Sequence, residues 1–230
     1  MLLGTRSAQI ASGNRLINAG IDPSGLAISS VFRSQLGGID QAIYNAQDTV
    51  NMSRVADSTL STQTDVLGRM RDLAVRASNT ATLSADDQAR LDNEYQQLKD
   101  TLNDVGRSST YNTKQLTTDA AGGTPYGTQQ AQVGPGATDQ IDVTLPESTA
   151  DVMASGNLAG TAIDTGAGAN AAIDEIDAAL EEVSSSRSDI GVTENRLNYA
   201  TNDLYSQRIN MAAANSRIAD TNMASAISDY

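Results

Sequence analysis

Apolar residues recur along most of this chain at alternating steps of three and four, the spacing that lines one face of an α-helix. Ile39, Ile43, Ala46 and Val50 open such a row, and Met52, Ala56, Thr59, Gln63, Val66, Met70, Leu73 and Ala77 continue it. At 1.5 Å per residue the row predicts a helix roughly 55–60 Å long. Leu91, Tyr95, Leu98, Leu102 and Val105 repeat the pattern in a third tract, after a shorter and weakly periodic first one from Met1 to Ala19. The last tract is the most regular. Ile176, Val183, Ile190, Leu197, Leu204, Met211 and Ile218 return every seventh residue, which predicts an uninterrupted helix from Asn170 to Ile227. Its interleaved row starts apolar with Ile173 and Leu180 but continues as Arg187, Glu194, Thr201, Arg208 and Asn215. A coiled-coil seam wants both rows apolar. Here small residues (Ala172, Ala179, Ala200 and Ala214) shoulder a single stripe.

The breaks between tracts carry their own chemistry. Asp22-Pro23 reads as a helix N-cap followed by proline at the first helical position. Gly37-Gly38 is expected to bend or interrupt the helix that follows, since glycine weakens a helix interior. Ser84-Ala85-Asp86-Asp87 reads as a capping box with aspartate in the usual place of glutamate, and Gly106 as the C-cap of the third helix. Between residues 107 and 166 the helical period gives way to alternation at Ala131, Val133, Ile141, Val143 and Leu145, around a Gly134-Pro135-Gly136 turn. One or two β-hairpins are expected there, with a disordered insert as the other reading. The fold class predicted is mainly α: an elongated rod of long antiparallel helices with a small β-hairpin region.

Composition narrows the function. Ala, Ser, Thr, Asn and Gln make up nearly half of the 230 residues, and aromatics only 3%. Few bulky side chains are available for a compact core. The formal charge of −13 opposes binding to nucleic acid or anionic lipid. With no Cys and no His, thiol chemistry and the commonest general base and zinc ligand are missing. No apolar run reaches the ~18 residues of a membrane-spanning helix, and the N-terminus lacks the layout of a cleaved secretory signal. Asp86-Asp87 and Glu181-Glu182 are paired carboxylates on helices, read as solvated or dipole-capping groups. Gly134-Pro135-Gly136 lacks the strand-to-helix context of a phosphate loop, and Ser184-Ser185-Ser186 reads as a small-residue stretch where another helix packs. No catalytic residue, cofactor or metal site is expected.

Several segments then resemble bacterial flagellin in the correct order. Ser12-Gly13-Asn14-Arg15-Leu16 with Asp22 and Gly25-Leu26-Ala27-Ile28 is similar to the family's N-terminal stretch. Arg69-Met70-Arg71-Asp72-Leu73-Ala74-Val75 resembles its Arg-x-Arg-Glu-Leu-Ala-Val, and Tyr111-Asn112-Thr113-Lys114-Gln115-Leu116 its Phe-Asn-Gly-x-Lys-Leu. Arg187-Ser188-Asp189-Ile190-Gly191 with Glu194-Asn195-Arg196-Leu197, and Ala214-Asn215-Ser216-Arg217-Ile218 with Asp220 and Met223-Ala224, resemble its C-terminal signatures.

The resemblance implies a structural subunit of the flagellar filament, extracellular and exported without a cleaved signal peptide. It implies other flagellin subunits and the export chaperones of the flagellar type III system as partners, and innate immune sensing by Toll-like receptor 5. In that reading residues 1–22 and 219–230 are remnants of the inner arms, 23–106 the N-terminal helices of the rod domain, 107–166 its hairpin region and 167–218 its C-terminal helix. Family members usually extend further at both ends, so this chain alone is expected to stay monomeric. The family's receptor and subunit contacts map onto Arg69, Leu73 and Glu94: an arginine fork, an apolar knob one turn on, and a carboxylate across the helix pair. An ordinary intramolecular Arg69–Glu94 pair is the competing reading. A hook–filament junction protein and a secreted helical binding module are the alternatives for the chain as a whole.

Overall fold

The computed structural model describes residues 2–117 and 127–228, the side chains of residues 2–6, 225, 226 and 228 aside. The chain folds mainly as helix. α1 spans Leu2–Ser12, α2 Pro23–Ala77, α3 Ala85–Ser108, α4 Gly166–Ala219 and α5 Met223–Ser228. Two antiparallel strand pairs interrupt them, β1 (Thr110–Tyr111) with β2 (Lys114–Gln115), and β3 (Gly127–Gln132) with β4 (Gln140–Leu145). Two compact units result, one of Met1–Gln47, Gln132–Gln140 and Leu197–Tyr230, the other of Asp48–Ala131 and Ile141–Arg196.

In the second unit α2 packs against α3 and α4, both antiparallel to it, as the pairings Gln63 with the Leu102 carbonyl and Arg71 with Asp177 show. Being flanked twice, α2 buries a wide arc: Leu60, Leu67, Met70, Leu73, Ala74 and Ala77 are all buried. α3 answers with Leu91, Tyr95 and Leu102. Its start is the expected capping box: the Ser84 hydroxyl accepts from the Asp87 N–H, and the Asp87 carboxylate accepts from the Ser84 N–H. Its end differs from expectation. Gly106 is not a cap but a buried member of the helix, because the Ser148 carbonyl would lie 2.9 Å from any Cβ there. β4 alternates as predicted, with Ile141, Val143 and Leu145 buried and Asp142 and Thr144 exposed.

From Pro146 to Ile163 the chain straps across the three helices of this unit. The helices grip it by its main chain. Gln63 donates to the Ser148 carbonyl (2.6 Å), and Lys99 to the Ala159 and Thr161 carbonyls (2.8 and 2.9 Å). Asn103, Glu182 and Asp92 accept from the N–H groups of Ala150, Ala154 and Ile163. Met153, Leu158 and Ile163 fill the space beneath.

In the first unit Asp22 caps α2 as predicted, its side chain accepting from the Gly25 N–H at 2.8 Å. The Gly37-Gly38 pair does not interrupt the helix: α2 runs through both residues. Gly38 instead leaves room for the 133–139 turn, with Pro135 Cβ 3.0 Å from where its own Cβ would stand. Ile39, Ala42, Ile43 and Leu204 form the core cluster, with Met211 packed against it. The first tract is shorter than its composition suggested. α1 ends at Ser12 because Gly13 turns at φ +66°, and Asn14 then bridges Asp220 while the Arg15 N–H donates to the Ala219 carbonyl at 2.7 Å. The same bridge ends α4 at Ala219 and not at Ile227, leaving α5 as a separate helix.

Candidate functional site

α2 and α3 bring Arg69 and Glu94 together. The guanidinium Nη2 lies 2.5 Å and Nε 3.2 Å from the same carboxylate oxygen, so two N–H groups converge on one acceptor. Both side chains stay about half exposed, at 56% and 45%. Leu73 does not join them. It is 2% exposed and belongs to the core of α2, because that helix is covered on two sides. The apolar knob expected beside Arg69 is therefore a packing residue, and only the ion pair of the three-residue set faces outward.

A different set of charges was not recognised from the sequence. The polar members of the seven-residue row on α4 reach across to α2. Arg187 Nε donates to Asp57 at 2.8 Å and Glu194 lies 3.9 Å from Arg54 in the second unit; in the first, Arg208 Nε meets Asp40 at 2.5 Å and Asn215 accepts from the Ser29 hydroxyl at 2.8 Å. Exposed pairs of this kind contribute little stability each. Their repeat fixes which turn of α4 lies beside which turn of α2. Arg71 adds a bidentate pair with Asp177, whose hydrogen bond holds that carboxyl below its ordinary range. Only the recurrence of charges at seven-residue spacing hinted at this ladder.

The paired carboxylates have local duties. Asp87 serves the capping box, and Glu182 accepts from the strap. Ser184 and Ser185 are exposed, so the helix expected to pack on them is not found among the described residues. Among the described residues no group of three or more His, Cys, Asp or Glu is placed to hold a metal ion. Among the same residues no helix is long and apolar enough to cross a membrane. What the first unit does present is uncovered apolar surface. Of fourteen large apolar side chains exposed among the described residues, ten belong to it, including Ile28, Val31, Tyr44, Tyr199 and Ile209.

Long capped helices, a paired-charge ladder and uncovered apolar faces describe a scaffold. Family models then match at both ends: the bacterial flagellin N-terminal helical region over residues 3–121 and the C-terminal helical region over residues 173–230. The chain belongs to the bacterial flagellin family. A flagellin of Halalkalibacterium halodurans is 35% identical over 96% of this chain and 79% of its own. One from Treponema pallidum is 32% identical over 99% of this chain and 82% of its own. The crystal structure of Bacillus cereus flagellin superposes with a TM-score of 0.60 at 32% identity, covering 75% of this chain and 94% of that one. A flagellar hook-associated protein from Vibrio parahaemolyticus reaches a TM-score of 0.71 at 14% identity, over 87% of this chain and 100% of that one, a likeness of fold alone. This flagellin is thus a structural subunit of the bacterial flagellar filament, which lies outside the cell, and its family is structural and not enzymatic.

Proposed function

We propose that copies of this flagellin polymerise through the apolar surface that the first unit leaves uncovered. The observation that carries this is the concentration of exposed Ile, Val and Tyr on that unit, against four such residues on the larger one. A monomer gains nothing from holding the exposed parts of Ile28, Val31 and Ile209 in water; burying what is left of each against a neighbour contributes about 1–2 kcal/mol. Polymerisation needs unlike faces that do not close on themselves, so that subunits add helically. The test is sedimentation and electron microscopy of the purified chain over a range of concentration, in which a lasting monomer, the outcome the sequence alone led one to expect, would overturn the proposal. Ile28→Ser and Ile209→Ser are expected to keep the circular dichroism spectrum and lose the polymer. Polymers unchanged by both substitutions would remove this face from the assembly.

The reading extends to partners outside the filament. Export by the flagellar type III system with its chaperones is part of it. So is sensing by Toll-like receptor 5 through the Arg69–Glu94 surface, supported by the resemblance and by a guanidinium that is always charged and 56% exposed. Arg69→Ala should weaken binding to the receptor ectodomain about tenfold or more. Equal affinity would leave the Arg69–Glu94 pair a purely intramolecular one. Leu73→Ala belongs to a melting experiment, because that side chain is buried.

A further inference from the structure

Most glycines of this chain have a local reason. Gly38, Gly106, Gly134, Gly136 and Gly166 each sit where a Cβ would meet another atom at 3.0 Å or less. Gly68 has none. It lies deep inside α2, at ordinary negative φ, and a Cβ there would meet nothing within 4 Å. Glycine in a helix interior costs stability relative to alanine. One turn before it stands Asp65 and one turn after it Asp72, so the three share a stripe. Both aspartates are exposed, and neither has an ion-pair partner among the described residues. Three arginines lie near them: Arg69, Arg71 beside Asp72 and Arg187 beside Asp65. Each is hydrogen-bonded to another carboxylate, Glu94, Asp177 and Asp57 respectively.

The complement is on α4. Arg196 is exposed and without an ion-pair partner among the described residues, and Val192, one turn earlier on the same face, is 55% exposed. We propose that Arg196 of one copy enters the notch at Gly68 of the next, its guanidinium between Asp65 and Asp72, with Val192 laid against α2 beside it. Asp65 and Asp72 are about 10 Å apart along the helix axis. With no Cβ between them, a planar guanidinium reaches one carboxylate with paired N–H groups and the other with a third. Both halves of the contact are carried by the same chain on different helices. They join unlike faces, which permits an open-ended series. The contact rests on the filament reading and names one of its joints. It also answers the charge: copies at −13 each repel, so a cation must be set locally against carboxylates where they meet.

The full chain tests this by charge exchange, with polymer yield read by sedimentation and electron microscopy. Arg196→Glu alone, and Asp65→Arg with Asp72→Arg in one chain, should each raise the concentration needed for polymer about tenfold or more. An equimolar mixture of the two variants should recover to within about threefold of the wild type, because each supplies what the other lacks. Gly68→Ala gives a second readout of opposite sign. It should raise the melting midpoint of the monomer, having nothing to clash with, while weakening assembly. Wild-type polymers indifferent to Arg196→Glu, or a mixture that fails to recover, would overturn this contact and leave the filament reading standing. A wild type that stays monomeric at every concentration and salt would overturn both.

Discussion

Two residues are held against their own preferences. The β1–β2 hairpin turns through Asn112 and Thr113 at φ +48° and +66°, with Tyr111 paired to Lys114. A two-residue turn of this hand suits Asn-Gly. Thr113 is β-branched, and its side chain crowds the backbone in the left-handed region. Thr113→Gly should therefore stabilise by about 1 kcal/mol, read as a higher urea midpoint with unchanged slope. Ser53 is the second case. It is fully buried in α2, and its hydroxyl has no hydrogen-bond partner. Ser53→Ala removes an unpaired polar group and improves helix propensity, for an expected gain of about 1 kcal/mol in the same measurement. Neither site is visible as a fault in the sequence. Thr113 departs from the glycine of the family pattern, but only the positive φ shows that the departure is strained. Ser53 becomes unpaired only when α2 is covered by its neighbours.

At the scale of elements, helices and their starts were largely legible. Period and capping chemistry are local, so Asp22-Pro23, the Ser84–Asp87 box and the row through Leu204 could be read directly. Ends set by distant chain were not. Gly106 looks like a cap until Ser148 arrives, and α4 stops where Asn14 pairs with Asp220, some two hundred residues away in sequence. The burial of Leu73 was hidden for the same reason: a helical wheel of α2 alone does not show the helices that flank it. The cap on α3 carries a pH prediction. Asp87 is held below the ordinary carboxylate range, first by the Ser84 hydroxyl and then by its main-chain N–H, and Asp177 by Arg71. A depressed carboxyl contributes stability above its unfolded pKa, about 4, and loses it as pH falls toward the folded value. Melting midpoints should thus fall below about pH 4. Ser84→Ala should cost about 1 kcal/mol at neutral pH and less in acid, where the box is already protonated. An equal cost at pH 7 and pH 3 would show the carboxylate irrelevant to the cap.

For the whole molecule the deciding quantity is charge. Fifteen cations face 28 anions, and the cross-helix pairs use cations such as Arg187 and Arg208, leaving the surplus negative. Two copies approaching at low salt repel over the Debye length, about 10 Å at 0.1 M. Raising ionic strength should lower the concentration at which polymer forms, even though it weakens the Arg196 contact, because net repulsion outweighs one attractive pair. Assembly that salt only inhibits would mean that opposite-charge contacts dominate the joint.

The strap from Pro146 to Ile163 has a consequence for how such a chain changes over generations. Gln63, Asp92, Lys99, Asn103 and Glu182 all hold it by main-chain amide and carbonyl groups, which every amino acid but proline supplies. The grip does not read the strap's letters, apart from the buried Ser148, Thr149, Ala150, Met153, Ala154, Leu158 and Ile163, and Thr161, whose hydroxyl meets Tyr95. Its outward positions are therefore free to drift, or to be rewritten by a designer wanting to display a foreign peptide, while the helices that hold it must keep their spelling.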